Sequence, residues 1–144
     1  MAGAEVLYTP EVLGLATSLA NFPWRDDLPL HGEARSPTCG SAVRLALDCD
    51  PDGRIADFGI RAHACAIGQA AAAIFARAAK GRDRAEIAES ARTITRWLDG
   101  EDGLPGWPGF AAIASARDYP ARHGAILLAW KAALAALPSP ATAR

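Results

Sequence analysis

Three cysteines, Cys39, Cys49 and Cys65, are the side chains of this 144-residue chain best suited to bind a soft metal or to attack sulfur. An odd, small number of cysteines argues against a disulfide framework. No two of them have the C-x-x-C spacing that is typical of structural zinc sites. Each thiol is therefore a buried hydrophobic group, a metal ligand or a nucleophile, and its surroundings must decide which.

Cys49 and Cys39 have contrasting predicted surroundings. Residues 42–49 alternate as a strand does, and Cys49 falls on the apolar face, which favours a small buried group. Cys39 lies in a Pro-Thr-Cys-Gly turn, where Gly40 would let a ligand approach the backbone. A turn cysteine without any role is the alternative explanation for Cys39.

Cys65 lies between a predicted strand and an alanine-rich helix. The N-terminus of a helix offers unpaired amides and the positive end of the dipole, and both favour the thiolate that binds metals. The alternative is that the small residues after Cys65 only allow the helix to pack tightly on the sheet. Spacing alone therefore leaves two candidate reactive thiols, Cys39 and Cys65.

The elements that would position these thiols are strands followed by helices. A helix begins at Thr9-Pro10 and ends near Asn21 because Pro23 follows. The remaining predictions are a short edge strand at 31–36, an antiparallel hairpin of 42–49 and 54–63, helices at 66–80 and 84–98 (capped by Asp83), a short helix at 110–117 and a last helix from Pro120. Strands segregated from helices indicate an α+β domain.

The bulk properties indicate one ordinary domain, residues 1–144, with a core at about 8–137 and a disordered tail at 138–144. A net charge of −1 lacks the basic surplus that nucleic acid requires, so no nucleic-acid partner is expected. No apolar run is long enough to span a membrane and no secretory signal is recognisable, so the expected location is cytoplasmic.

Several segments resemble, in order, the NifU/IscU/SufU family of iron–sulfur cluster assembly proteins. Tyr8-Thr9-Pro10-Glu11-Val12-Leu13 is similar to that family's Y-N-P-x-V-L. Pro37-Thr38-Cys39-Gly40-Ser41 resembles P-x-C-G-D, and 64–71 (ACAIGQAA) resembles G-C-A-I-S-x-A-S. Residues 122–130 (RHGAILLAW) resemble R-x-x-C-x-x-L-A-W of the SufU-like branch. The resemblance covers about residues 8–137.

The resemblance implies an α+β fold in which a small antiparallel three-stranded sheet packs with about five helices. It also implies that cysteines gather at one end to hold iron, a nascent Fe–S cluster or zinc, for which thiolates are suitable ligands. Cys39 and Cys65 would then be the ligands in this chain.

The chain departs from the family pattern at two ligand positions. Ser41 stands where the family has Asp, and an ungapped match on Leu128-Ala129-Trp130 places Ala125 where the family has its third Cys. His63 and His123 are candidate replacement ligands, since imidazole binds zinc and iron. The alternative for both is that they are partly exposed polar residues at element ends. Arg122 matches the family arginine and would favour thiolates nearby, or it is simply a surface charge.

Three functions are consistent with these residues. The first is an Fe–S assembly scaffold or carrier, not an enzyme, that works with a cysteine desulfurase and recipient proteins. Its remaining ligands would be a histidine, an exogenous thiol or a second subunit, and a cluster bridged across a homodimer would need only two cysteines from each chain. The second is a SufU-like zinc-binding sulfur acceptor of the desulfurase, which the missing thiol near residue 125 weakens. The third is a metal-free accessory protein that docks onto the machinery, with the loop around Trp107 as a contact surface; a core role for Trp107 is the alternative.

Overall fold

The fold is a small antiparallel sheet with its helices on one side, the α+β arrangement that the sequence predicts. The structure, a computed structural model, describes residues 7–37, 40–101 and 103–138. The strands are β1 (Leu30–Arg35), β2 (Ala42–Cys49) and β3 (Ile55–His63). The α-helices with described bounds are α1 (Pro10–Ser18), α2 (Ala66–Ala78), α3 (Arg84–Leu98), α4 (Pro120–Ile126) and α5 (Leu128–Ala136). The 3-10 helices are Leu19–Asn21 and Phe110–Asp118.

The sheet has the order β1-β2-β3 with both pairs antiparallel. A tight turn joins β2 to β3, in which the Gly53 amide donates to the Asp50 carbonyl at 2.9 Å. The register places Leu45 opposite Ile60, so apolar side chains of the two strands meet on one face. The predicted hairpin and the three-stranded sheet are confirmed.

Helix starts follow the capping signals of the sequence. The Thr9 hydroxyl accepts the Val12 amide at 3.1 Å at the start of α1. Asp83 and Glu86 form a reciprocal capping box at the start of α3, in which each side chain accepts the other residue's backbone amide. The first helix also ends as predicted, with its last 3-10 turn closing at Asn21.

The two faces of the sheet have different environments. Val43, Leu45 and Leu47 of β2 are buried on the inner face, against which α2 and α5 pack. The opposite, outer face carries charged side chains, among them Arg44 and Asp48. All helices in contact with the sheet can therefore pack on the apolar side, and the outer face remains open to solvent and to a short irregular segment.

Trp107 lies in the core, which is one of the two roles that the sequence left open, and not on a contact surface. Only 4% of its surface is exposed, and its indole Nε1 donates to the Ile74 carbonyl at 2.9 Å. Its ring stacks on Phe75 with centroids 5.5 Å apart and meets Trp130 edge-on at 5.3 Å. The glycines and prolines around it let the loop turn inward and place the ring in the core, which was the alternative explanation.

The last helix, predicted as continuous from Pro120, is in fact two helices separated at Leu127. Residues 126–130 are all buried, a run too wide for one face of a straight helix. The interruption lets α4 and α5 each turn an apolar side toward the core. The short helix predicted at 110–117 is a 3-10 helix, Phe110–Asp118, and it has a kink at Ile113.

No helix in the described ranges is long and apolar enough to cross a membrane. The tail predicted to be disordered, residues 138–144, lies outside the described residues except for Pro138. Thr38 and Cys39 also lie outside them.

Candidate functional site

Three elements meet at one end of the sheet: the loop from β1 to β2, the end of β3 and the start of α2. The loop closes tightly, because the Ser36 amide donates to the Ser41 carbonyl at 2.8 Å and the Gly40 amide donates to the Ser36 carbonyl at 3.1 Å. Gly40 has a φ of +73°, a conformation that favours glycine. The loop's last residues, Gly40 and Ser41, are therefore held at the sheet end.

Cys65 is the N-cap residue of α2 with an extended backbone (φ −65°, ψ 172°). Its side chain makes no capping hydrogen bond to the described first turn, and the thiol is half-buried. The Cys65 carbonyl accepts the Gln69 amide at 2.9 Å, and the Gln69 side chain donates to the Ala64 carbonyl at 3.0 Å. The thiol is thus on a rigid backbone while its sulfur is not committed to the helix cap.

Gln69 is a positioning residue that the sequence reasoning missed. Its side chain reaches back from the first turns of α2 to the junction with β3. A glutamine one helical turn after a helix-capping cysteine is the signal that would have indicated it, since long polar side chains there can bond free backbone groups of the entering chain.

Four predicted site residues line one shallow surface depression of about 190 Å³: Gly40, Ser41, His63 and Cys65, together with Ala64. His63 is exposed and pairs with Ala42 at the last position of the hairpin. Ser41 is buried, with 5% of its surface exposed. Cys39 lies outside the described residues, and its neighbour Gly40 is the described residue nearest to it in the chain.

Ala125 lies beside this site, although it does not line the depression. It is 1% exposed on α4, and a Cβ added at Gly68 would lie 3.0 Å from the Ala125 Cβ. Gly68 is in the first turn of α2, three residues after Cys65. The position matched to the family's third cysteine therefore does face the start of α2, but it presents only a methyl group.

The other two α4 candidates do not line the depression in the part of the chain that the structure describes. His123 is half-buried, and its Nε2 lies 2.8 Å from the Arg117 carbonyl, which accepts its proton. Arg122 is half-buried in the first turn. Of the two candidate imidazoles, His63 is the one that shares a surface with Cys65.

The described donors do not by themselves complete a metal site. Within residues 7–37, 40–101 and 103–138, no three His, Cys, Asp or Glu side chains are grouped as metal ligands. The depression supplies one thiol, one imidazole and one hydroxyl. Tetrahedral zinc or cluster iron needs more soft ligands than these, so the assignment of Cys39, Cys65, His63, His123 and Ser41 as ligands stays a prediction.

Cys49 is remote from this site. It pairs with Ile55 at the turn end of the hairpin, whereas Ala42 pairs with His63 at the other end. The seven residue steps from Ala42 to Cys49 along β2 separate the two ends by about 23 Å. Cys49 is half-buried against the core, and burial, followed by the charges of Asp48 and Asp50, raises the pKa of its thiol. Both effects keep it protonated and unreactive.

A family model now decides the identity. The model for the NifU-like N terminal domain matches residues 7–136, nearly the whole chain. The chain belongs to the NifU-like N-terminal domain family. A comparison with curated proteins finds no match.

Solved structures agree with this membership in the NifU-like family. The N-terminal NifU-like protein of Brucella abortus is 26% identical and superposes with a TM-score of 0.84, over 93% of this chain and 94% of that one. A protein of Fervidobacterium islandicum, assigned as an iron–sulfur cluster assembly scaffold of the SUF system, is 23% identical with a TM-score of 0.81, over 94% of this chain and 99% of that one. The predicted family and fold are confirmed, and the second likeness concerns the fold alone.

Proposed function

We propose that this NifU-like domain is a scaffold or carrier for iron–sulfur cluster assembly that binds its cargo through Cys39 and Cys65. The observation that carries the proposal is the depression in which the half-buried Cys65 thiol, Gly40 and His63 meet at the start of α2. Gly40 directly follows Cys39 in the chain. Membership of the NifU-like N-terminal domain family supports the same function.

The chemistry of this end of the fold suits thiolate ligation. The first turn of α2 directs unpaired amides and the positive dipole end toward Cys65, an environment suited to holding a metal-bound sulfur. Iron and zinc both accept thiolates, and imidazole, the side chain of His63, is a suitable further ligand for either. The domain would hold and pass on its cargo, so it needs no catalytic residue of its own.

The ligand set of one chain is incomplete in this proposal. The Ala125 methyl is buried and cannot coordinate a metal. The missing ligands come from a second copy of the chain, so that a cluster is bridged across a homodimer with two thiols from each chain. His63 lies beside Cys65 in the same depression and is next to the cargo. A cysteine desulfurase supplies the sulfur, and recipient proteins take the finished cluster.

The buried methyl at 125 also separates this proposal from the SufU-like alternative, a zinc-bound sulfur acceptor. That alternative needs a third thiol at the start of α2, and Ala125 is the residue packed there against Gly68. A metal-free accessory role remains as an outcome of the experiment.

The experiment is anaerobic purification and reconstitution with ferrous iron and sulfide. Iron, zinc and sulfide are quantified, and native mass spectrometry counts the chains per cluster. We expect an Fe–S cluster bound by two chains. Cys39→Ala and Cys65→Ala should each abolish it, and His63→Ala should weaken it, whereas His123→Ala should leave it bound because that ring is occupied by the Arg117 carbonyl.

Cys49→Ala is the matched control, since it removes a thiol at the far end of the hairpin. Its metal and sulfide content should equal that of the wild type. Zinc without sulfide would support the sulfur-acceptor alternative instead. A protein that binds no metal under any of these conditions would overturn the proposal in favour of the accessory role.

A further inference from the structure

The outer face of the sheet carries a tryptophan held between two arginines. The guanidinium carbons of Arg44 and Arg61 lie 4.8 Å and 5.0 Å from the centre of the Trp24 ring. The two arginines are directly opposite each other in the β2–β3 register. Like charges in that arrangement repel, and the electron-rich ring between them offsets part of the repulsion.

The segment that carries Trp24 is fixed to β3 by several contacts. Phe22 stacks on Phe58 with ring centroids 5.6 Å apart, and its carbonyl accepts the Ile60 amide at 3.1 Å. Gly59 leaves the room for this crossing, because a Cβ there would overlap the Pro23 carbonyl.

A salt bridge completes the attachment. The Arg25 guanidinium donates to the Asp57 carboxylate at 2.9 Å and to Asp27 at 2.7 Å. Trp24 is consequently held half-buried on the face, rather than in the core where the other three tryptophans lie.

Most acidic side chains of this face are paired with other groups, and Asp48, which has no ion pair among the described residues, lies opposite Asp57 toward the far end of the β2–β3 pair. Glu33 pairs with Arg35 at 2.9 Å, and Asp26 accepts the Trp24 indole proton at 2.6 Å. Within the described residues, no carboxylate lies within ion-pair distance of Arg44 or Arg61. The face therefore presents two guanidinium groups that share one indole ring and form no ion pair among the described residues, although Glu33 lies opposite Arg44 in the β1–β2 register.

We propose that the surface formed by Trp24, Arg44 and Arg61 binds an acidic segment of a partner protein through its carboxylates. Guanidinium groups bind carboxylates in a planar, two-bonded geometry, and the charge of the surface is complementary to Asp and Glu. Arg61 precedes His63 by two residues, which places the surface about 7 Å along β3 from the depression. A partner docked there is beside Cys65. The binding itself does not depend on the proposed cargo.

The test uses the intact chain and a short glutamate-rich peptide labelled with a fluorophore. Fluorescence anisotropy measures the Kd, and the indole cross-peaks in NMR spectra, assigned with Trp24→Phe, report whether Trp24 is the tryptophan perturbed. We expect saturable binding that weakens with salt and that Arg44→Gln/Arg61→Gln weakens at least about tenfold, since charge-assisted hydrogen bonds are lost.

The matched control is Arg92→Gln/Arg96→Gln on α3, which removes the same charge from another surface. Its Kd should stay within about twofold of the wild type, because only long-range screened attraction changes. Equal effects of the two double variants would overturn the proposal, as would a perturbation of tryptophans other than Trp24. Tighter binding of a single-stranded oligonucleotide of the same length would also overturn it, by indicating a nucleic-acid surface.

Discussion

Gly68 of α2 packs directly against Ala125 of α4, so closely that a Cβ at Gly68 would lie 3.0 Å from the Ala125 Cβ. The same added Cβ would lie 2.7 Å from the Ala64 Cβ. In the family pattern, position 64 is glycine, position 68 is serine and position 125 is cysteine. This chain has alanine at 64, glycine at 68 and alanine at 125, so the packing is sterically consistent. The site lacks two ligands of the family pattern, the Asp at position 41 and the Cys at position 125.

Restoring that thiol should restore metal affinity. We expect Ala125→Cys to tighten zinc binding by at least about tenfold, because a third thiolate joins Cys39 and Cys65 and each added ligand raises the affinity. Competition with a chromogenic zinc chelator measures the change.

Ala88→Cys on α3 is the control for the number of thiols, since Ala88 lines a groove between α3 and α5. It should leave zinc affinity unchanged. Equal affinities for the two variants would show that position 125 does not face the metal.

Gly68→Ala should destabilise the domain by about 1–2 kcal/mol. The new methyl overlaps Ala64 and crowds Ala125, and this overpacking outweighs the better helix propensity of alanine. Urea unfolding measures the free energy.

In an Ala64→Gly background, Gly68→Ala should lose most of its destabilising effect, because the closest atom, the Ala64 Cβ, is absent. A double-mutant cycle measures the coupling free energy between the two positions. Gly14→Ala in α1, where an added Cβ meets nothing within 4 Å, should instead stabilise by about 0.5–1 kcal/mol. A Gly68→Ala variant as stable as Gly14→Ala would contradict the packing described here.

The Cys49 thiol should react with alkylating agents more slowly than free cysteine does. In a Cys39→Ala/Cys65→Ala protein, we expect iodoacetamide to alkylate it several-fold more slowly than free cysteine at neutral pH, because burial and the nearby Asp48 and Asp50 raise the pKa of its thiol. The rate should rise with pH, with a midpoint above that of free cysteine.

Asp48→Asn removes one of the two repelling charges and should lower the midpoint. Asp118→Asn, a carboxylate on another element, should not change it. A Cys49 that reacts faster than free cysteine would contradict the assignment of an inert thiol.

Asp57 should make the attachment of the Trp24 segment sensitive to acid. The hydrogen bond from Arg25 lowers the pKa of the Asp57 carboxyl in the folded protein. A carboxyl with a lowered folded pKa stabilises above its unfolded pKa of about 4, and the stabilisation is lost as the pH falls through the folded value. The Tm difference between wild type and Asp57→Asn should therefore shrink as the pH falls from neutral to below about 4.

The fluorescence of Trp24 should change in the same pH range, because the segment that carries it is released. Asp118→Asn makes a suitable comparison, as Asp118 forms no ion pair among the described residues. A pH-independent difference between wild type and Asp57→Asn would show that the Arg25 contact does not stabilise the segment.

Much of the fold follows from local rules. The alternation in 42–49 and the turn at Asp50–Gly53 predict a hairpin whose bounds the structure reproduces, and Thr9 and Asp83 cap the predicted helices. The continuous last helix was predicted wrongly, because its interruption at Leu127 depends on how much of 126–130 the rest of the core buries. Trp107 shows the same limit, since a glycine-rich loop does not reveal by itself which way its tryptophan points.

By itself, the sequence determined the family, the order of the elements and which thiols border a turn or a helix start, because these depend on residue types and neighbours in the chain. Only the tertiary structure placed His63 beside Cys65, turned His123 toward Arg117 and packed Ala125 on Gly68. It alone showed that Arg44 and Arg61 share the Trp24 ring. The physical reason is that these relations join residues far apart in the chain, whose distances are set by how the sheet and helices pack.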